Sequence, residues 1–599
     1  MATAAVFLAD TGALAGFFCA AGVCANIIIE PTLSSVHSKE LFIITMNYIG
    51  RLLSGVILLA AGLAGETVKV TILATTDLHG HIFPYDYFTQ TPAAYGLAKI
   101  ATLVKQARRE APEAILVDAG DTIQGSPLES LYQAFRRTGK LPPGVTIPER
   151  ALGIDPMMLV MNAMRYDAMV VGNHEFNYGV RNLEEARRVA RFAWISANTL
   201  ASGPNTKGFV PYIEKTVGGV RVAVVGLTTP SIPAWEKPEN YRGYTWEAPV
   251  EAMKRLIAIW GKNKPDLVVV AAHGGINKID GRENFAWQVG EVEGVDAVIF
   301  GHSHGEFAEL FNANTLMVQP KNYGASLGKV EFEFSRQEGG KWKMESRRGT
   351  LLKVSAATEA DEEILSLGKP YHEATEQYLS SPVARAPVEL SAANGRFEDS
   401  ALVDAIHEVQ LHYTKADVSL SALFNPRLVV HAGPVTVREA AALYVYDNTL
   451  YKVEGTGKML KAALENAARF FEIFPTSSCD TGNLLNNNFA GFNYDMAEGV
   501  SYEVDLTRPV GERIRQLMYR GKPLAMDEPL TIAVNSYRAA GSAGYDMFKD
   551  AKVVWQSTEA IRDLIIAYYG QKKLLPSQSS NNWRIVPATA RERLVKHER

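Results

Sequence analysis

From residue 68 onward, short apolar runs rich in Val, Ile and Leu alternate with longer stretches whose apolar positions recur every three or four residues. Residues 68–74 read as a strand, 98–109 as a helix and 114–117 as a second, buried strand. The runs at 168–171, 267–271 and 297–300 repeat the strand pattern, and 329–334 closes this half with an alternating strand. Strands separated by helices predict an α/β fold. Five of the apolar runs are followed within three residues by Asp, His, Asn or Gly. Strands of that kind deliver polar side chains to one edge of a sheet.

The glycine-rich, charged stretch 337–349 reads as a hairpin or loop, and 358–380 is polar with helical spacing. These patterns divide the chain into a first domain at 66–353, a linker at 354–386 built around one exposed helix, and a second domain at 387–586. The charged tail 587–599 is expected to be solvated. Ahead of the first domain, residues 1–65 form an N-terminal extension. Within it, Arg51, the apolar stretch 52–63 and small residues up to Gly65 have the order of a secretory signal at 46–65, cut near Ala64 or Gly65. Translation starting at Met46 would make 1–45 dispensable. The alternative is a membrane anchor built from the apolar residues 13–29, which is short for a span. Beyond this region no stretch is long and apolar enough to cross a bilayer. The expectation is an exported protein, in a bacterial periplasm or cell envelope, with no membrane attachment once the signal is removed.

Composition adds exclusions. Of 599 residues, 47% are hydrophobic and 21% charged, which allows two or three domains with full cores. A net charge of −4 gives no global basic field for a nucleic-acid polymer, while a small anionic ligand stays possible. Cys19, Cys24 and Cys479 are the only cysteines and have no zinc-site spacing, so any metal must be held by His, Asp and Asn.

The polar clusters that follow the strands are Asp77-Leu78-His79, Asp118-Ala119-Gly120-Asp121, Gly172-Asn173-His174-Glu175, Ala272-His273-Gly274-Gly275 and Gly301-His302-Ser303-His304. Nitrogen and carboxylate donors at repeated strand ends are what a pair of catalytic metal ions requires. In order and wording the five clusters resemble the calcineurin-like metallophosphoesterases. The resemblance implies a four-layer α/β/β/α first domain and two divalent ions, with zinc, manganese, cobalt or iron all suited to such ligands. It places Asp77, His79, Asp121 and His304 on the first ion. Asp121, Asn173, His273 and His302 then hold the second, with Asp121 bridging. It also implies hydrolysis by a hydroxide on the two-metal centre, with His174 beside the metals assisting the reacting phosphoryl group. In the 5'-nucleotidase branch an Asp three residues beyond this histidine orients it. Here that residue is Asn177, which can accept a hydrogen bond but carries no charge. Asp118 is expected to be structural and His81 to stand behind the ligands.

The C-terminal half resembles the 5'-nucleotidase C-terminal domain, an α/β substrate-binding domain. Gly491-Phe492-Asn493-Tyr494-Asp495 and Asn535-Ser536-Tyr537-Arg538-Ala539 match the segments that supply its base-stacking aromatics. The resemblance implies a base held between Phe492 and Tyr537, with Asn493 alongside. Asp86-Tyr87-Phe88, Ile123-Gln124-Gly125-Ser126-Pro127 and Asn173-His174-Glu175-Phe176-Asn177-Tyr178-Gly179 are similar to bacterial 2',3'-cyclic-nucleotide 2'-phosphodiesterase/3'-nucleotidases. Ala543 occupies the position where 5'-nucleotidases carry a ribose-gripping carboxylate. The expected activity is therefore opening of 2',3'-cyclic nucleotides and hydrolysis of 3'-nucleotides. The alternatives are a 5'-nucleotidase or UDP-sugar hydrolase on the same scaffold, a thiosulfohydrolase, and a non-catalytic surface binding protein. Closure of the two domains about the linker is expected to accompany turnover.

Overall fold

A computed structural model describes residues 66–597, apart from 204–205, 277–281, 313, 447 and 476–482, together with the backbone of three strands within residues 3–29. The signal expected at 46–65 lies outside the described residues. The chain forms two compact units, Met1–Thr67 with Ser335–Lys343 and Val68–Phe334 with Met344–Arg599. In the first, Thr3–Leu8, Leu14–Ala20 and Val23–Ile29 pair antiparallel. No helix among the described residues is long and apolar enough to cross a membrane.

The second unit contains both expected domains. Its N-terminal half has two six-stranded sheets rather than the single sheet that the strand pattern by itself predicts. In one, Thr67–Thr75, Ile115–Asp118, Ala168–Val170 and Ala193–Ile195 run parallel in that order. The long strands Ser326–Arg336 and Trp342–Lys353 complete its other side. In the other, Val220–Thr228, Leu267–His273, Ala297–Phe300 and Leu316–Gln319 run parallel, with Tyr212–Val217 and Phe307–Leu310 antiparallel at the edges. Ala168–Val170 packs across Val220–Thr228 and Leu267–His273. The Thr228 hydroxyl crosses between the sheets to the Val171 carbonyl at 2.7 Å. Helices cover both outer faces, giving the α/β/β/α order. Leu97–Glu110, Pro127–Thr138 and Pro156–Ala163 bury apolar faces against the first sheet, and Pro249–Trp260 against the second.

The C-terminal half is built on a five-stranded sheet in the order Asp495–Glu498, Val418–Ala422, Pro529–Asn535, Thr449–Thr456, Val553–Ala560. Helices Ala401–Thr414, Gly457–Ala467 and Ile561–Lys572 contribute buried residues to its core.

Two expectations are corrected here. The linker helix, Glu362–Ser380, is not an exposed tether: Ile364, Tyr371, Ala374 and Leu379 are buried in the core of the N-terminal half. Its polar composition hid a narrow apolar stripe that suffices for docking on one side. The charged tail is likewise not simply solvated, because Ala588–His597 is a helix that buries Ala590 and Leu594 in the C-terminal core. The halves are also joined by a buried cation: Arg438 Nε donates to the Tyr87 carbonyl (2.6 Å) and Nη2 to both Glu376 oxygens (2.9 Å each).

Tyr371 tests the docking of the linker helix. Its ring is buried and its hydroxyl donates to the Ala151 and Ile154 carbonyls at 2.7 and 2.9 Å. Tyr371→Ala is expected to destabilise the N-terminal half by about 3–5 kcal/mol in urea unfolding, as buried aromatic truncations do. A loss within measurement error would show that the helix is peripheral.

Candidate metal centre

The expected ligands meet where the carboxyl ends of the two sheets face each other. Asp77, His79, Asp121 and Asn173 come from loops after strands of the first sheet, and His273, His302 and His304 from the second. The donor atoms of Asp77, His79 and His304 lie within 4.8 Å of one another, as do those of Asp121, His273 and His302. Asn173 Oδ1 is 3.0 Å from His273 Nε2. The two groups are laced together, since the His302 main-chain N–H donates to both Asp77 oxygens at 3.0 Å.

The backbone is bent to achieve this. Asp77, His79, Asp121, His302 and His304 all have left-handed φ, between 47° and 73°. Each non-glycine residue held there costs about 1–3 kcal/mol, and such strain gathers at functional sites. The loop after Thr122 shows why glycine recurs beside the ligands. Gly125 has φ +133°, and a Cβ on it would lie 2.6 Å from the Cβ of His79. Its neighbours complete the arrangement: the Gln124 carbonyl faces His79 Nδ1 at 2.9 Å, and Ser126 caps the helix Pro127–Thr138 while donating to Gly80 O at 2.7 Å.

The hydrogen bonds also set the imidazole tautomers. His79 Nδ1 faces the Gln124 carbonyl and His273 Nδ1 faces the Ala119 carbonyl at 2.8 Å. A carbonyl only accepts, so each Nδ1 carries the proton and each Nε2 turns a lone pair into the site. There His79 Nε2 lies 3.1 Å from His304 Nε2, and His273 Nε2 lies 2.9 Å from Asp121 Oδ2 and 3.0 Å from Asn173 Oδ1. The charge balance follows the same geometry. Burial would lower the His273 imidazole, yet the Asp121 carboxylate favours positive charge at Nε2, as a second ring proton or a metal ion, and pushes it up to about 10. Burial would raise Asp77, but the His304 hydrogen bond and charge bring it down to about 2. Acceptors converging on acceptors need either protons or a metal ion between them, and both carboxylates favour such positive charge.

Three carboxyl groups brace the ligand loops. Glu175, fully buried, accepts from the main-chain N–H groups of Asp121, Thr122, Ile123 and Gly172 at 2.6–3.3 Å. Asp118 accepts from Gly120 N and from the Thr75 and Thr122 hydroxyls, and burial pushes its carboxyl up to about 7. Glu283 lies 2.8 Å from His302 Nε2, and the Trp235 ring stacks on the same imidazole at 5.5 Å. His81 is partly buried and stacked on Tyr323 at 4.1 Å, outside both donor groups. His174 is not in either group: its ring is partly exposed, with Nε2 3.9 Å from Asp121 Oδ2 and Nδ1 2.5 Å from Asn177 Oδ1.

In the C-terminal half, Phe492 and Tyr537 are both surface aromatics, 43% and 46% exposed. Arg538 ties their segments together. Its guanidinium is buried against Asp495 (2.8 and 3.0 Å) and donates to the Phe492 carbonyl (2.9 Å) and Asn493 Oδ1 (3.1 Å), with the Tyr537 ring 5.5 Å away. Asn493 therefore commits its side-chain oxygen to Arg538. Tyr446, which no sequence pattern singled out, stands edge-on to Phe492 at 6.2 Å. Ala543 has φ +57°, a conformation that Asn, Asp and Gly adopt more readily than Ala. One cleft of about 380 Å3 is lined by His79, Asn173, His174, His302 and His304 at one side and by Tyr446, Ser536 and Tyr537 at the other, while Phe492 and Asn493 lie outside this lining.

Residues 70–306 match the calcineurin-like phosphoesterases, and residues 382–550 match the 5'-nucleotidase C-terminal domain. A 2',3'-cyclic-nucleotide 2'-phosphodiesterase/3'-nucleotidase of Haemophilus influenzae is 30% identical over 599 residues, covering 88% of this chain and 89% of that one. The chain belongs to the calcineurin-like phosphoesterases that carry a 5'-nucleotidase C-terminal domain. The trifunctional nucleotide phosphoesterase protein YfkN of Bacillus subtilis is 29% identical over 88% of this chain, which spans only 39% of that longer protein. A 5'-nucleotidase candidate from Staphylococcus aureus, solved with alpha-ketoglutarate, superposes with a TM-score of 0.69 at 27% identity, covering 86% of this chain and 99% of that one.

This phosphoesterase is a hydrolase of phosphoester bonds, and its family implies divalent metal ions. The donor set fits them: lone pairs of imidazole, carboxylate and amide converge with no thiolate among them, a mixture suited to zinc, manganese, cobalt or iron. Gly172 gives a test that spares every donor. A Cβ there would stand 2.3 Å from Asp121 Oδ1 and 2.8 Å from Glu175 Oε2. Gly172→Ala is expected to cost about 1–3 kcal/mol by overpacking and to lower the metal retained after dialysis, read by elemental analysis. Unchanged metal content would show that the Asp121 loop tolerates displacement.

Proposed function

We propose that this phosphoesterase opens 2',3'-cyclic nucleotides to 3'-nucleotides and hydrolyses 3'-nucleotides to nucleosides and phosphate. The observation that carries the reading is the single cleft with the metal-type donors on one wall and Tyr446 and Tyr537 on the other. Asp77, His79, Asp121 and His304 would hold one ion, and Asp121, Asn173, His273 and His302 the other. When bound, the ions supply positive charge against the phosphoryl oxygens and a lowered pKa for the attacking water.

The remaining roles belong to the chain itself. His174, outside the donor groups but beside Asp121, presents Nε2 toward the cleft and assists the oxygen that leaves phosphorus. Phe492 and Tyr537, held by Arg538, present aromatic faces for a base, a sequence-tolerant contact worth about 1–3 kcal/mol per face. With Ala543 in place of a carboxylate, nothing at that position competes for the 2' and 3' oxygens, which leaves that ribose edge free to face the donors. The 2',3'-cyclic-nucleotide activity in the name of the Haemophilus influenzae relative supports the same substrate class. Export after removal of residues 46–65 belongs to the same reading, and N-terminal sequencing of the secreted protein checks it.

Phosphate release from 2',3'-cyclic AMP (with a phosphatase added to reveal the 3'-nucleotide), 3'-AMP, 5'-AMP and UDP-glucose is the deciding assay. The first two are expected to be turned over at least tenfold more efficiently than the others. A preference for 5'-AMP or UDP-glucose would overturn the reading. Chelation, and separately Asp121→Ala or Asn173→Ala, should abolish turnover with the fold intact by circular dichroism. Tyr537→Ala should raise KM about tenfold, the equivalent of one stacking face, with kcat little changed.

A further inference from the structure

Next to the pair formed by His174 and Asn177, and lining the same cleft, stands a carboxylate, Glu236, immediately after the short helix Ile232–Trp235. Asn177 Nδ2 donates a short hydrogen bond to Glu236 Oε1. Asn240 Nδ2 donates to Glu236 Oε2 at 2.7 Å and to the Asn177 main-chain carbonyl at 3.2 Å. Two amide donors thus face one carboxylate, and the first of them also faces the imidazole.

The chemistry of these groups gives the chain of contacts a direction. A carboxylate only accepts, so Glu236 holds the NH2 of Asn177 toward itself and leaves the amide oxygen pointing at His174. That oxygen, 2.5 Å from His174 Nδ1, can only receive a hydrogen bond. The ring is then held by a hydrogen bond from its Nδ1–H, and Nε2 is the nitrogen turned to the cleft. Without Glu236 the amide could rotate by a half-turn, present NH2 to the ring and remove the acceptor that holds its Nδ1 edge.

We propose that Glu236 is a positioning residue for phosphoester hydrolysis, acting through the Asn177 amide to hold the His174 ring by its Nδ1 edge with Nε2 turned to the cleft. The proposal rests on the assignment of His174 to the reacting phosphoryl group.

The competing explanation is structural, because Glu236 adjoins Trp235, whose ring stacks on His302. Steady-state kinetics of the full-length, metal-loaded protein separate the two. Wild type, Glu236→Ala, Glu236→Gln, Asn177→Ala and the Asn177→Ala/Glu236→Ala double variant are compared on 3'-AMP and on phenyl phosphate, with metal content measured for each. Glu236→Ala is expected to lower kcat about 10–100-fold, the range for groups behind a catalytic site, with KM within about twofold and metal content unchanged. Glu236→Gln, which can still offer an amide oxygen to Asn177, should recover most of that loss. The double variant should be no slower than Asn177→Ala, since the effect passes through Asn177. Multiplying losses in the double variant, loss of metal in Glu236→Ala, or an unchanged kcat would each overturn the proposal. Turnover of phenyl phosphate without turnover of 3'-AMP would sink the nucleotide reading while leaving the Glu236 comparison intact.

Discussion

Acceptor atoms from two different sheets are forced into one small volume, and the rest of the N-terminal half is arranged around that unfavourable meeting. Asp77 and Asp121 are buried, and the Nε2 lone pairs of His79 and His273 face other acceptors. Repulsion of this kind persists in a folded protein only if the surrounding backbone leaves the side chains no alternative. Left-handed φ at five of the seven expected ligands shows how firmly the loops are held. The holding forces are hydrogen bonds to main chain: Glu175 takes four N–H groups of the Asp121 and Gly172 segments, and the His302 N–H fastens the second sheet's loop to Asp77. A divalent cation converts the same repulsion into binding energy, which ties the strain of the loops to the affinity of the site.

The C-terminal half solves a different problem with the same means. Surface aromatics are useful for binding a flat ligand only if they stay exposed, although the hydrophobic effect favours folding them inward. Arg538 anchors the backbone that carries Phe492 by donating to that residue's carbonyl and lies 5.5 Å from the Tyr537 ring, while its charge is matched by buried Asp495. A buried ion pair contributes little net stability because desolvation offsets its attraction, so its value here is geometric. The linker helix and Arg438 then attach this half to a specific face of the first.

Much of this was legible in the chain. Strand positions, the ligand types and their order follow from short apolar runs that end in Asp, His and Asn, because a buried parallel strand needs a nearly continuous apolar run and its carboxyl end is where polar side chains emerge. The aromatic segments were legible for a similar reason, since Tyr537 sits among small and polar neighbours that could not bury it. Less legible was anything that depends on a narrow stripe. The helix Glu362–Ser380 reads as polar, yet every third or fourth residue is buried, and the tail helix hides its docking in Ala590 and Leu594.

The sequence by itself determined which residues can bind metal and that strands would carry them, since donor chemistry and strand ends are local properties. Only the tertiary structure decided that the donors come from two sheets, that Glu175, Glu283, Arg538 and Tyr446 support the site, and that Asn177 is backed by Glu236. Asn177 and Glu236 are 59 positions apart and meet through a turn that carries no motif. A carboxylate becomes a partner for an amide by where the chain returns, and that return is set by the packing of whole elements rather than by any local pattern.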